Sequence, residues 1–241
     1  MTLKRATTMI TGGTGALGRA VVLRLASAGE TIHVPWVAER EMEDVRESLG
    51  DALRTVQFHR CDVMSEADLD SLFKAIAGRG EYVRTLANLV GGFAMAPVES
   101  TDRATWDRML HLNATSAFAC IRAAVPGMKG AREGRIINVS SAPALNHGAE
   151  HLGAYSAAKA AVLNLSESLA KELAPWGITV NAIVPSVIDT PANRQASPAD
   201  DRSTWLQPAE IADVVAFLAS GGGRIVTGTA VNLARGKPAP L

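Results

Sequence analysis

A doubly wound α/β fold, with a seven-stranded parallel sheet covered by helices on both faces, is predicted for this chain by three observations. Short β-rich runs alternate with helically spaced apolar runs from one end to the other. A glycine-rich turn separates the first expected strand from the first expected helix. The 241 residues contain no repeat, low-complexity tract or interior linker, so one domain spanning residues 1–241 is expected.

The strands are expected at residues 7–11, 31–35, 56–58, 84–90, 135–140, 179–184 and 227–233. Between them Leu17, Val21, Val22 and Leu25 recur at helical spacing, as do Leu69, Leu72, Phe73 and Ile76, and later Ile211, Val214, Val215 and Leu218. Two longer helices are expected at 103–128 and 151–174, the second stopped by Pro175 and Gly177. The stretch 186–207 contains Pro191, Pro198, the consecutive Asp200 and Asp201, and few large apolar residues. It reads as a mobile substrate lid.

Composition narrows the function classes. Lysine plus arginine number 24 and aspartate plus glutamate 24, a formal net charge of zero, so nothing draws the whole chain to nucleic acid or an anionic membrane. The uncharged stretch 85–98 is interrupted by Asn88, Gly91, Gly92 and Pro97 and falls short of the roughly 20 apolar residues of a membrane helix. Lys4 and Arg5 precede a short β-like run instead of an apolar h-region, so no export signal is expected. Cys61 and Cys120 lack metal-ligand spacing and lie in apolar segments, which suits a reducing compartment and a cytoplasmic protein.

The turn Thr11, Gly12, Gly13, Thr14, Gly15, Ala16, Leu17, Gly18 carries the first chemistry. Read as Gly13-x-Gly15-x-x-Gly18 between a strand and a helix, it fits the dinucleotide fingerprint. Glycines permit the tight turn and the close approach of backbone to pyrophosphate, while the helix N-terminus supplies N–H donors and a positive dipole end. No Gly-Lys-Ser/Thr follows, so triphosphate chemistry of the P-loop kind is disfavoured. The second chemistry is Tyr155-Ser-Ala-Ala-Lys159. A phenol with pKa near 10 is a poor acid or base at neutral pH unless a cation stabilises its phenolate, and residues i and i+4 share one helix face. Of the two tyrosines, Tyr82 has no lysine four residues on and reads as structural.

On these residues the chain resembles the compact single-domain branch of the short-chain dehydrogenase/reductase family over nearly its whole length. The resemblance implies an NAD(P)-binding Rossmann fold and an enzyme that moves a hydride between the nicotinamide and a carbonyl or secondary alcohol. It implies that Tyr155 delivers or takes the proton and that Lys159 lowers its pKa and holds the nicotinamide ribose. Arg135-Ile-Ile-Asn-Val-Ser-Ser141 resembles the strand ending in the family's serine, and by analogy Ser141 bonds the substrate oxygen. The gap to Tyr155 is one position longer than usual from Ser141 and two from Ser140, so both serines stay open. His111-Leu-Asn113 resembles the helix whose asparagine keeps a water-linked proton path to the lysine.

The resemblance also implies cofactor contacts at Asp62 and Val63 after the third strand, at Asn88 and Gly91 after the fourth, and at Pro185, Ile188 and Thr190 after the sixth. Several positions depart from the pattern: Leu89 and Val90 where relatives have Asn-Ala, Ala16 where compact members prefer glycine, Ser186 after Pro185, and Ala234-Arg235-Gly236 near the C-terminus. At the end of the second strand NAD-preferring relatives place a carboxylate, and a basic residue nearby favours the 2′-phosphate. Trp36 is neither, Glu39 can simply open the next helix, and the balance leans slightly to NADP(H) over NAD(H). His147 and His151 lack a third metal ligand and are expected to touch substrate selection instead. Relatives pair through their two long helices, so a homodimer or homotetramer is expected, with Ala154, Ala157, Ala158, Ala161 and Ala170 small enough for close packing or for facing their own sheet. A dinucleotide-sensing or structural protein that lost catalysis is the alternative.

Overall fold

The computed structural model describes residues 5–235; Lys4 and Gly236 lie outside the described residues. The chain runs β1 (Arg5–Thr11), α1 (Ala16–Ala26), β2 (Ile32–Trp36), α2 (Glu39–Leu49), β3 (Val56–Arg60), α3 (Glu66–Gly78), β4 (Glu81–Asn88), α4 (Arg103–Leu110) and α5 (Ser116–Ala131). It continues through β5 (Gly134–Val139), a single turn α6 (Ala142–Leu145), α7 (Gly153–Leu173), β6 (Ile178–Pro185), α8 (Pro191–Ala196), α9 (Pro208–Ala219) and β7 (Ala230–Leu233). The strands form one parallel sheet in the order β3-β2-β1-β4-β5-β6-β7. Winding starts at β1, runs out to β3 and returns to β4, so the switch point lies between β1 and β4, where open α/β sheets place their ligand crevice.

Alternation along each strand feeds two cores. Ile10, Val34, Ala87, Ile137 and Ile183 pack with α1 and α9, whereas Met9, Val83, Leu86, Ile136 and Val180 pack with α3, α5 and α7. Adjacent residues point to opposite faces because the strand repeat is two, and both faces are apolar because both are covered. All eight residues of β6 are buried.

Strand and helix ends differ from the sequence reading for local reasons. β4 begins at Glu81, not 84, because its charge hides a strand residue that is buried and ion-paired with Arg5. β7 starts at Ala230, not 227: Gly228 has a left-handed φ of +71°, and the Thr227 hydroxyl accepts a hydrogen bond from the Val180 N–H. The expected helix 103–128 is two helices, α4 and α5, joined by one π-helical turn, His111–Thr115. α7 starts at Gly153 because His151, at φ +61°, cannot continue a right-handed helix. β2 pairs with β1 only at Ile32 and His33 but with β3 as far as Trp36. Pro35 has no N–H to give.

Between β2, β3 and the start of β4 the sheet encloses a titratable pair. His33 is fully buried, with Nδ1 3.0 Å from His59 Nε2 and Nε2 3.4 Å from Glu81 Oε2. Burial first, then the neighbouring His59, lowers its pKa from 6.5 to about 4. The unfolded chain therefore binds the extra proton between those values, so stability is full above pH 6.5 and is lost as pH falls toward 4. The expected loss is on the order of 2–3 kcal/mol, or roughly 5–10 °C in Tm. Thermal melts across pH 4–7 check it; a flat Tm over that window would contradict it.

Candidate active site

The glycine turn follows β1 and packs between the backbone just past β4 and Val34 of β2. Gly12 takes a left-handed φ of +65°, and a Cβ built on it would lie 3.0 Å from the Leu89 and Val90 backbone. A Cβ on Gly13 would meet Val34 at 2.8 Å, and one on Gly18 would fall 2.0 Å from the Gly12 carbonyl oxygen. The turn thus lets α1 close directly onto the end of β1. Gly15 is the N-cap of α1, with no side-chain cap and no acidic residue in the first turn, so first-turn N–H donors at Ala16, Leu17 and Gly18 have no capping side chain. That is the donor set a diphosphate needs.

A cleft of about 310 Å³ opens beside this turn and is lined by Gly12, Thr14, Gly15, Trp36, Asp62, Val63 and Gly91 among others. Seven of the expected cofactor positions therefore meet in one place. Thr11 and Asn88 do not: the Thr11 hydroxyl accepts from the Leu89 N–H at 3.1 Å, and Asn88 Nδ2 donates to Asn138 Oδ1 at 2.9 Å, so both side chains knit the sheet. Asp62 binds the Met64 N–H through Oδ1. Glu39 and Arg40 are exposed, whereas Glu41, which the sequence reading passed over, lines the cleft and accepts a hydrogen bond from the Thr14 hydroxyl. No local sequence pattern marks Glu41; the path of α2 brings it back.

Past the carboxyl ends of β4 and β5 the second cluster assembles. Lys159 is buried in α7 and donates from Nζ to the Val139 carbonyl at 2.9 Å. Burial lowers its pKa to about 8. Its Nζ lies 6.0 Å from the Tyr155 ring centroid. Burial raises the Tyr155 pKa above its ordinary value, and the nearby Ser141 side chain offsets part of this. At neutral pH the phenol is therefore protonated.

The two serines have different surroundings. Ser140 Oγ donates to the Lys159 carbonyl at 2.8 Å and is spent on fixing α7 to β5. Ser141 Oγ is buried with no close hydrogen-bond partner and faces Tyr155. Asn113 lies in the π-helical turn, where Nδ2 donates to Gly92 O at 3.1 Å and Met109 O at 2.9 Å, while Oδ1 accepts from the Gly92 N–H at 3.2 Å. A Cβ on Gly91 would fall 2.7 Å from Asn113 Oδ1 and 3.3 Å from Lys159 Nζ, so glycine alone lets these groups close together. Phe93, 61% exposed, sets its ring edge-on to Tyr155 with centroids 5.0 Å apart. An aromatic residue two positions after Gly91 was the available signal for it.

Pro185 ends β6 beside this cluster, because the Ser140 N–H donates to Ile183 O. Beyond it, Ile188 forms a bridge with Leu206, and Asp189 accepts from Arg194 and Gln207. Thr190 caps α8 through the Asn193 N–H. Trp205 and Leu206 are buried, so the stretch 186–207 is anchored at its far end while much of its middle is exposed. The loop before α7 holds His147, Gly148 and His151 at positive φ, and His151 O accepts from the Ala96 N–H at 2.9 Å. On α7, Ala154, Ala158 and Ala170 are buried within the chain, whereas Ala161 is exposed.

A family model described as short chain dehydrogenase matches residues 6–201. A galactitol 2-dehydrogenase of Rhizobium johnstonii is 34% identical over 249 residues, covering 95% of this chain and 93% of the relative. The NAD+-bound structure of a xylitol dehydrogenase superposes with a TM-score of 0.86 at 27% identity, covering 98% of this chain and 100% of its own. ElxO with NADP bound gives a TM-score of 0.87 at 21% identity, covering 95% and 97%, a likeness of fold.

Proposed function

The chain belongs to the short-chain dehydrogenase family and is an NAD(P)-dependent oxidoreductase, and from that premise we propose that it interconverts a secondary alcohol and its carbonyl with Tyr155 as the proton carrier. The observation that carries this reading is the meeting of Tyr155, an unpartnered Ser141 hydroxyl and a buried Lys159 beside Gly91, a residue that also lines the cleft at the glycine turn. The uncapped α1 N-terminus and Gly12–Gly18 would hold the diphosphate, and Trp36, Asp62 and Val63 the adenosine. Gly91, Pro185, Ile188, Thr190 and Lys159 would hold the nicotinamide half. When bound, the dinucleotide supplies or accepts the hydride at nicotinamide C4.

On reduction, Ser141 orients the substrate oxygen, and Tyr155 Oη gives its proton to that oxygen as the carbon–oxygen π electrons move onto it. On oxidation the same proton returns to Tyr155. Asn113 braces the 91–92 backbone against Lys159, keeping the ammonium beside the phenol. Phe93 presents an apolar edge next to Tyr155 and favours substrates with a hydrocarbon flank. The 186–207 stretch, hinged between its anchored ends, closes over the substrate as part of a single-domain enzyme. Trp36 by itself leaves NADP(H) slightly ahead of NAD(H); Glu41 carries the opposite charge argument.

Among the described residues no helix is long and apolar enough to cross a membrane. Cys61 and Cys120 are free, and burial raises their thiols to about 11 and about 12, which suits the cytoplasmic assignment. A homodimer or homotetramer remains part of the reading, with exposed Phe118 on α5 and Ala161 on α7 as the faces offered.

A panel of ketones and secondary alcohols, assayed with each dinucleotide at the nicotinamide absorbance band, tests the activity. Because the Tyr155 phenol is raised, reduction should hold level through neutral pH and decline above about 8, where Lys159 loses its charge. Oxidation needs the phenolate and should accelerate with pH. An oxidation optimum at or below neutrality would contradict the proton assignment, and silence across a broad panel would favour the dinucleotide-sensing alternative.

A further inference from the structure

Glu41 lies in the first turn of α2, yet its carboxylate turns back over the glycine loop, where the Thr14 hydroxyl donates to Oε2. It lines the same cleft as Trp36 and Asp62, at the end formed by β2 and the glycine turn. Resting on the reading that this cleft holds a nicotinamide dinucleotide, we propose that Glu41 selects NAD(H) against NADP(H), reversing the lean that Trp36 alone gave.

Complementarity favours the diol. A ribose 2′,3′-diol offers two O–H donors, and a carboxylate is acceptor-only, with Thr14 using one lone pair and leaving Oε1 and the others for the sugar. The Thr14 bond also fixes the carboxylate, so its approach to the ribose requires no ordering of a free side chain. A 2′-phosphate has the opposite match, with a charge of about −1.5 to −2 and only acceptor oxygens to present to another acceptor. Repulsion between two such anions in a partly buried cleft is far less screened than on an open surface.

Among the described residues, no side chain lining the cleft offsets that repulsion. Among the described residues lining it there is no lysine or arginine, and Asp62 adds a second carboxylate. Arg40 is exposed and does not line it, and Arg19 is directed to the turn's own backbone, donating to the Thr14 carbonyl at 3.0 Å. The indole of Trp36 gives adenine an apolar face without contributing charge.

Equilibrium binding of NADH and NADPH to the purified protein, read by nicotinamide fluorescence, tests the assignment without relying on turnover. Competition by 5′-AMP and by adenosine 2′,5′-bisphosphate repeats the comparison on the adenosine half alone. The wild type should bind NADH at least about tenfold more tightly than NADPH, and the bisphosphate should compete worse than 5′-AMP. Glu41→Gln keeps the shape and removes the charge, and should reduce that preference at least about fivefold, chiefly by tightening NADPH. Thr14→Val, which frees the carboxylate, should blunt it in the same direction and serves if Glu41→Gln melts early. Tighter NADPH binding by the wild type, or a preference unchanged in both variants, overturns the role of Glu41 while leaving the dinucleotide site standing. Failure of both dinucleotides and both fragments to bind removes the site itself and the inference with it.

Discussion

Tyr155→Phe is expected to lower kcat/KM for carbonyl reduction by about 10³–10⁴-fold, near the upper end of what one general acid contributes, while leaving dinucleotide affinity within about twofold. The substitution removes only the hydroxyl. The ring keeps its edge-on contact with Phe93 at 5.0 Å and its place beside Lys159 Nζ, so the helix and the cluster have no reason to repack. What is lost is the one group beside the unpartnered Ser141 hydroxyl that can give up a proton. Burial keeps the phenol protonated at neutral pH, so reduction in the wild type starts with the acid loaded. The variant should also lose the alkaline rise of the oxidation rate, a readout that a packing defect would not produce. Steady-state kinetics in both directions together with a dinucleotide titration check it. Near-wild-type turnover would mean that the proton comes from elsewhere, and the role given to Tyr155 would fall.

Much of this arrangement is legible in the sequence because it depends on local rules. The seven strands and the strand–turn–helix around Gly12 to Gly18 follow from alternation and glycine placement, and both need only neighbours in the chain. Tyr155 and Lys159 meet because an α-helix puts i and i+4 on one face. What was hidden depends on distant partners. The π-helical turn at His111–Thr115 interrupts what reads as a continuous helix because Asn113 is drawn onto the Gly92 backbone, a contact between residues 21 positions apart. Spacing could not rank Ser140 against Ser141; the hydrogen bond from Ser140 to Lys159 O separates their surroundings. The longer gap to Tyr155 is taken up by α6 and a loop with left-handed residues at His147, Gly148 and His151, conformations no composition signal announces. Glu41 carries no signal of its own in the sequence, and its carboxylate gains meaning only when α2 returns across Thr14.

Gly18→Ala is expected to disable the dinucleotide site by moving backbone, not by removing a ligand. Its Cβ would lie 2.0 Å from the Gly12 carbonyl oxygen and 2.6 Å from the Gly13 Cα, and neither is the end of a flexible side chain that could swing away. Either α1 retreats from β1 or the turn opens. Overpacking of this kind costs about 1–3 kcal/mol, roughly 3–10 °C in Tm for a chain this size. The first-turn N–H groups move with the helix, so NADH and NADPH should both weaken, by at least about tenfold, with their ratio unchanged. That shared loss distinguishes the variant from Glu41→Gln, which alters the ratio. Gly15→Ala is the control within the same turn: its φ is −73°, and its Cβ would meet only the Gly12 carbonyl at an ordinary 3.4 Å. It should keep the wild-type Tm within about 2 °C, since exposed substitutions without strain or lost contacts change stability little. Melting curves and dinucleotide titrations on the two variants decide the matter. If Gly18→Ala melts and binds like the wild type, α1 can withdraw without disturbing its donors, and the close seating of helix on turn is not what positions the phosphates.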